Sequence, residues 1–213
     1  MWMARENLPI QTRKKHINSP PPLCYGSHRI RLYCQTLPRQ LLQLMQNDLI
    51  YSILKDLTKT DIKYVVCGGI ACVIHGVERA TYDLDIYADL YEENLKKIIE
   101  ISKKYDLIPR IPEPIENLIN EEKRKEWIEK KGALVFTLVS KTSPLQIDLF
   151  LKYPIQFSEL YKNSEKVKID DFEFLISSPE DLLKAKNEIE EKRDKDLLDI
   201  KELKKIIETR RKK

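Results

Sequence analysis

Three aspartates and a pair of glycines are the residues of this chain whose types and spacing could do chemistry. Asp83 and Asp85 stand two apart in the run Tyr-Asp-Leu-Asp-Ile-Tyr over residues 82–87. Alternate residues of a strand share a face, so both carboxylates project to one side and Leu84 and Ile86 to the other. Their backbone origins then lie roughly 6.5 to 7 Å apart, near enough to converge on a common ion. Like charges that close are costly unless a cation neutralises them. Magnesium takes a few carboxylate oxygens and completes its shell with water and substrate phosphates, so an Asp-x-Asp pair facing a triphosphate suits it. Asp148 is the candidate third carboxylate, set among Ile147, Leu149 and Phe150, where a lone charge calls for a reason. With it, two magnesium ions ~3.5 to 4 Å apart could activate an acceptor hydroxyl and stabilise a transferring phosphate.

Gly68 and Gly69 fit the remaining need. At a helix start, residues without side chains let backbone amides approach phosphate oxygens while the helix dipole favours the negative charge. Arg79 and Thr81 precede the Asp-x-Asp run and are candidates for positioning the triphosphate or capping the turn. Lys184 is a candidate for reaching the nucleotide phosphates from a later helix, and Lys195 a weaker one. Each has a plainer alternative: a tight turn for the glycines, a structural carboxylate for Asp148, solvated charge for the arginine and the lysines. His75 lies off the apolar stripe of its segment and reads as a hydrogen-bonding residue of the loop.

The elements that must hold these residues follow from periodicity. Leu49, Ile50, Ile53, Leu54 and Leu57 recur at helical spacing. Ile62 to Cys67 is a short apolar run suited to a buried strand, Gly68-Gly69 ends it, and Ile70, Val73, Ile74 and Val77 trace a short helix that Gly76 stops. Tyr82 to Tyr87 is the strand with the two carboxylates. A helix is expected at about 91–104, then a turn through Pro109, Pro112 and Pro114, then a charged helical stretch over 115–130 read as a surface insertion. Residues 134–139 and 145–152 read as paired strands joined at Ser143 and Pro144, with Asp148 on the second. Ser178, Pro179 and Asp181 make a helix start, and helices are expected to occupy most of 179–209 before a frayed basic tail at Arg210 to Lys213.

Bulk properties bound the alternatives. The chain has 213 residues, which suits one domain with a tail. Its 38 basic and 34 acidic residues leave a net charge of +4, too small and too interspersed to mark a nucleic-acid binder by itself. No run of ~18 apolar residues offers a membrane span, and no secretory signal opens the chain. Cys24, Cys34, Cys67 and Cys72 have neither zinc-ribbon spacing nor the density of a disulfide scaffold, so they read as reduced thiols in a cytoplasmic protein. Residues 1–44 are basic and contain Pro20, Pro21 and Pro22 in a row without apolar periodicity; they read as a disordered leader or tail, with the folded domain over 45–213 and a native start near Met45.

Gly68-Gly69, thirteen residues, then Asp83-Leu84-Asp85-Ile86, with Asp148 as the third carboxylate, resembles the signature of the polymerase-beta-like nucleotidyltransferase superfamily. Within it, Gly69-Ile70-Ala71, His75-Gly76, Arg79-x-Thr81, Pro179-Glu180-Asp181-Leu182-x-Lys184 and Lys195-Asp196-x-x-Asp199 are similar to minimal nucleotidyltransferases of the AbiEii-toxin-like kind. The resemblance spans about residues 48–208. It implies an α/β (α+β) fold, a mixed β-sheet flanked by helices with a helical C-terminal region. It also implies a divalent metal and transfer of a nucleoside monophosphate from a nucleoside triphosphate with pyrophosphate leaving. Many superfamily members carry a serine after the first glycine of this loop, whereas this chain has Gly69 followed by Ile70, so phosphate contact is left to amides. The acceptor stays open among RNA, a protein hydroxyl and a small molecule, and a toxin-type enzyme would have a cognate antitoxin as partner. The alternative is a nucleotide-binding or protein-interaction module of the same fold without turnover.

Overall fold

The computed structural model describes residues 48–212. The leader expected over 1–44, the start near Met45, and Cys24 and Cys34 lie outside them. The described residues open with α1 (Asp48–Lys59), whose Ile50, Ile53, Leu54 and Leu57 form one buried stripe at the expected spacing. β1 (Tyr64–Val66) is buried throughout. α2 (Gly68–His75) follows without a linker and stops at Gly76, which adopts the left-handed conformation and returns its amide to Cys72 and Val73. β2 (Asp83–Ala88) comes next, then α3 (Glu92–Lys104), which carries acidic residues in its first turn and basic ones in its last, matching the helix dipole.

A short strand, β3 (Leu107–Pro109), precedes the expected bend past Pro112, and a 3-10 turn (Ile115–Leu118) leads to α4 (Glu121–Lys131). This stretch is no surface insertion. Trp127 is 1% exposed and stacks on Phe136 with centroids 5.3 Å apart, and Leu118 is fully buried. The helix contributes so few apolar side chains that its pattern reads as polar, yet one tryptophan anchors it to the sheet. β4 (Val135–Ser140) and β5 (Gln146–Phe150) are the expected antiparallel pair.

Three more elements, besides β3, went unread in the sequence: α5 (Phe157–Asn163) and the hairpin of β6 (Glu165–Ile169) and β7 (Phe172–Ile176). The hairpin turns at Asp170, a non-glycine residue at φ +48°, so the usual glycine signal was missing. α6 (Pro179–Asn187) begins as expected, with the Ser178 side chain accepting the Asp181 amide and proline in the first turn. α7 (Asp194–Arg211) completes the described fold. Its end is not a solvated fray: Arg210 bonds to Glu165 of β6 at 2.6 Å and to His75 at 3.1 Å.

The strands form one seven-stranded sheet in the order β3-β4-β5-β2-β1-β7-β6, with β2–β5 and β1–β7 parallel and the other neighbours antiparallel. Leu84 and Ile86 of β2, Ile147 and Leu149 of β5 and Phe136 and Leu138 of β4 join the main core, with side chains of α1, α3 and α4 in the same cluster. Burying each such aliphatic side chain contributes roughly 1.5–3 kcal/mol, which fixes the register of the strands. The opposite face is divided: Val65, Cys67 and Tyr87 are covered by Ile155 and Leu160, whereas the stretch carrying the aspartates is half-buried.

Candidate active site

β2 lies between β1 and β5. Its parallel pairing with β5 sets Asp83 opposite Gln146 and Asp85 opposite Asp148. The pleat therefore brings all three aspartates onto the face away from Leu84 and Ile86. Asp148 is fixed there by two hydrogen bonds. Thr137 of β4, its partner in the register, donates its hydroxyl to Oδ1 at 2.6 Å, and the Gln146 amide donates to Oδ2 at 3.2 Å.

The amide end of α2 faces Asp85. Gly69 N–H donates to Asp85 Oδ2 at 3.2 Å, and Cys67 N–H donates to the Asp85 carbonyl at 2.8 Å. Neither glycine tolerates a side chain. Gly68 holds φ +56°, and a β-carbon on it would fall 2.0 Å from Asp85 Oδ2. A β-carbon on Gly69 would fall 2.6 Å from Thr81 Oγ1 and 3.1 Å from Arg79 Nη2. Thr81 is thus buried against the first turn of α2, whose N-cap residue, Cys67, makes no side-chain cap.

Burial, then the neighbouring charges of Asp148 and Asp83, push the Asp85 carboxyl up to about 6 against the opposing pull of the Gly69 amide. Carboxylate repulsion of this kind is what a cation relieves. Among the described residues no three acidic, histidine or cysteine side chains close into a ready-made metal cluster. The donor set is nevertheless the right one for a hard divalent ion: carboxylate oxygens only, sharing one face, one of them destabilised by its own neighbours.

Arg79 reaches this region from the side. Its Nη1 pairs with Asp199 of α7 at 2.6 Å, and Asp199 also takes Lys186 of α6 at 2.7 Å. Lys186 extends to Asp196 at 3.2 Å, and Asp196 accepts Arg193 Nε at 2.8 Å. Asp196 and Asp199 are buried almost completely. Burial opposes ionisation of Asp196, but the bonds from Arg193 and Lys186 win and hold its carboxyl down to about 2. For Lys186, burial likewise disfavours the charge, and Asp199 outweighs it, so the ammonium sits above its ordinary value. Arg193 is held charged by Asp196 and also feels Asp85 and Asp83, which puts it within electrostatic reach of the carboxylates.

Lys184 is exposed, two residues from Lys186 and on the opposite side of the helix, and the structure does not bring it into this network. Lys195 is exposed as well. Lys186 and Arg193 are the cations that sequence reasoning passed over. The signal for Lys186 was its three- and four-residue spacing from Leu182 and Leu183 on the inward side of α6; for Arg193 it was the N-cap position before Asp196. His75 is buried and spans two elements: Nε2 bonds to the Ser177 carbonyl at 2.8 Å and Nδ1 faces Arg210. Burial lowers its pKa, consistent with a neutral ring that donates from Nε2 and accepts at Nδ1. Cys67 and Cys72 are free, buried thiols.

No family model and no curated protein matches the chain. Solved structures do. The crystal structure of the lincosamide antibiotic adenylyltransferase LnuA, lincomycin-bound, is 16% identical with a TM-score of 0.51, over 75% of this chain and 97% of that one. The solution structure of the antibiotic-resistance factor ANT(2'')-Ia is 12% identical with a TM-score of 0.50, over 77% of this chain and 83% of that one. At these identities the likeness establishes the fold alone, a mixed sheet with flanking helices shared with these two nucleotidyltransferases. No helix among the described residues is long and apolar enough to cross a membrane.

Proposed function

We propose that this protein is a magnesium-dependent nucleotidyltransferase, moving a nucleoside monophosphate from a nucleoside triphosphate to an acceptor hydroxyl with release of pyrophosphate. The observation that carries the reading is the β2–β5 register, which sets Asp85 beside Asp148, with Asp83 two residues away, on a half-open sheet face next to the amide end of α2. A fold shared with an adenylyltransferase supports it.

In this reading Asp83, Asp85 and Asp148 hold two magnesium ions. When bound, the ions would polarise the acceptor hydroxyl and offset charge on the transferring phosphate. The first turn of α2, which no side chain caps and which Gly68 and Gly69 allow to close on Asp85, would receive phosphate oxygens through its backbone amides. Arg193 adds a charge that a triphosphate can share with Asp196. Thr81 and Arg79 act by packing: they shape the first turn of α2, and Arg79 spends its charge on Asp199. Thr137 and Gln146 orient Asp148 toward the acceptor side. The motif resemblance to the AbiEii-like group adds a toxin-type enzyme acting in the cytoplasm and restrained by an antitoxin. Growth arrest on expression, relieved by Asp83→Ala, is its expected signature, and unaffected growth removes that version.

The test incubates purified protein with each α-labelled nucleoside triphosphate, magnesium and a total cell extract, beside Asp83→Ala and Asp85→Ala. Label entering RNA, protein or a metabolite, and lost in both variants, is the expected result. Magnesium-dependent nucleotide binding without transfer would instead mark a binding module that has lost turnover, a reading favoured by one feature, the apolar Ile70 in place of a loop hydroxyl.

A further inference from the structure

The cations around the three aspartates differ in how they are employed. Arg79, Lys186 and Arg193 are each paired with Asp199 or Asp196. Arg110 is not: among the described residues it forms no ion pair. It follows β3 directly, where its amide donates to the Thr137 carbonyl at 2.9 Å and so extends the pairing with β4. From there its exposed guanidinium crosses to Gln146 and hydrogen-bonds the side-chain oxygen. Gln146 in turn donates to Asp148. A cation without a counter-charge therefore stands one side chain away from the third carboxylate, on the same sheet face.

Its side of the site also matters. In the strand order, α2 and its amides belong to the β1–β2 side of the carboxylates, whereas Arg110, Gln146 and Thr137 belong to the β3–β4–β5 side. The register adds half-buried Val135 and Val139 and exposed Ile108 to that same face. With triphosphate at the α2 end, this half is where the attacking molecule must lie. A guanidinium offers paired N–H donors that match phosphate oxygens, and an unpaired one repels cationic groups.

We propose that the β3–β4–β5 half of the face is the acceptor subsite and that the acceptor carries a phosphate close to its reacting hydroxyl, which Arg110 grips. The proposal rests on the nucleotidyltransferase reading above and narrows it: polycationic acceptors are disfavoured, and Arg110 is the specificity residue. A nucleic-acid end and a phosphorylated sugar share this chemistry, and the two are separated by the probes.

The experiment presents the full chain, magnesium and each α-labelled nucleoside triphosphate with four acceptors: a short oligoribonucleotide with a free 3′-hydroxyl, ribose 5-phosphate, kanamycin and lincomycin. Wild-type protein is expected to label the oligoribonucleotide or ribose 5-phosphate and neither antibiotic. Arg110→Gln and Arg110→Glu are expected to raise the KM for that acceptor at least ~10-fold, with kcat and the KM for the nucleotide changed less than about threefold. Preferred labelling of either antibiotic overturns the proposal, as does a fall in kcat with unchanged acceptor KM. If none of the four is labelled, the transferase reading is decided by the cell-extract assay, and the Arg110 claim is decided by calorimetric titration. Binding of the oligoribonucleotide or ribose 5-phosphate that Arg110→Glu weakens ~10-fold sustains the anion subsite, and absent or equal binding ends it.

Discussion

Burial, and then the charges of Asp148 and Asp83, push the Asp85 carboxyl up to about 6 against the pull of the Gly69 amide, above the ~3.9 of an unfolded chain. Between those values the folded protein binds more protons than the unfolded one, so this residue's effect is to lower stability as pH rises from about 4 through 6. Asp85→Asn keeps an oxygen for the Gly69 amide and removes the repulsion. In magnesium-free protein at pH 7.5 it is expected to stabilise by about 1–2 kcal/mol, discounted for partial exposure, with the gain shrinking toward pH 4.5. Thermal denaturation at the two pH values measures it, and a lower melting temperature for the variant at pH 7.5 would refute the electrostatic account. The same proton competes with metal, so magnesium affinity should fall below about pH 6 in the wild type.

At the scale of elements, α2 is pressed against β2 through its glycines, and α7 is tied to the segment before β2 through Arg79 and Asp199. Gly68→Ala combines a left-handed backbone with a β-carbon placed 2.0 Å from Asp85. It should cost about 1–3 kcal/mol and abolish transfer together, because relieving the clash moves the carboxylate. A variant with wild-type denaturation midpoint and wild-type turnover would show that the close approach is not required. Asp199→Ala leaves Arg79 and Lys186 without their shared partner in a buried setting, which should destabilise by about 3–5 kcal/mol. Urea denaturation reads this directly, and a loss under about 1 kcal/mol would mean that water or Asp196 takes over.

At the scale of the molecule, one sheet with helices packed against its apolar face leaves part of the other face half-buried, and the carboxylates gathered there disfavour one another's ionisation. Ligands that bind the folded state alone stabilise it by mass action. Magnesium with a nucleoside triphosphate at 100 times its dissociation constant should therefore add about 2.7 kcal/mol, visible as a higher melting temperature. Neither component alone should give the full rise, and Asp83→Ala should remove it. Equal shifts with and without magnesium would argue that the nucleotide sits away from the aspartates.

What the sequence determined by itself was the local chemistry: the two-residue period that puts Asp83 and Asp85 on one face, the Gly-Gly helix start, the β4–β5 pair, and the Ser178-Pro179-Asp181 cap. These are short-range consequences of side-chain spacing and backbone freedom, readable without knowing the neighbours. The tertiary structure decided which cations face inward. Lys184 and Lys186 are two residues apart in a lysine-rich stretch, and only the packing of α6 on α7 buries the second against Asp196 and Asp199. Arg79 appears equally able to meet a phosphate or a carboxylate until Asp199, 120 residues later, is placed beside it. Arg110 gains meaning only because strand order sets β3 and β4 beside the strand of Asp148. Charges act through space, and the distances that give them a role are set by the order in which the strands assemble.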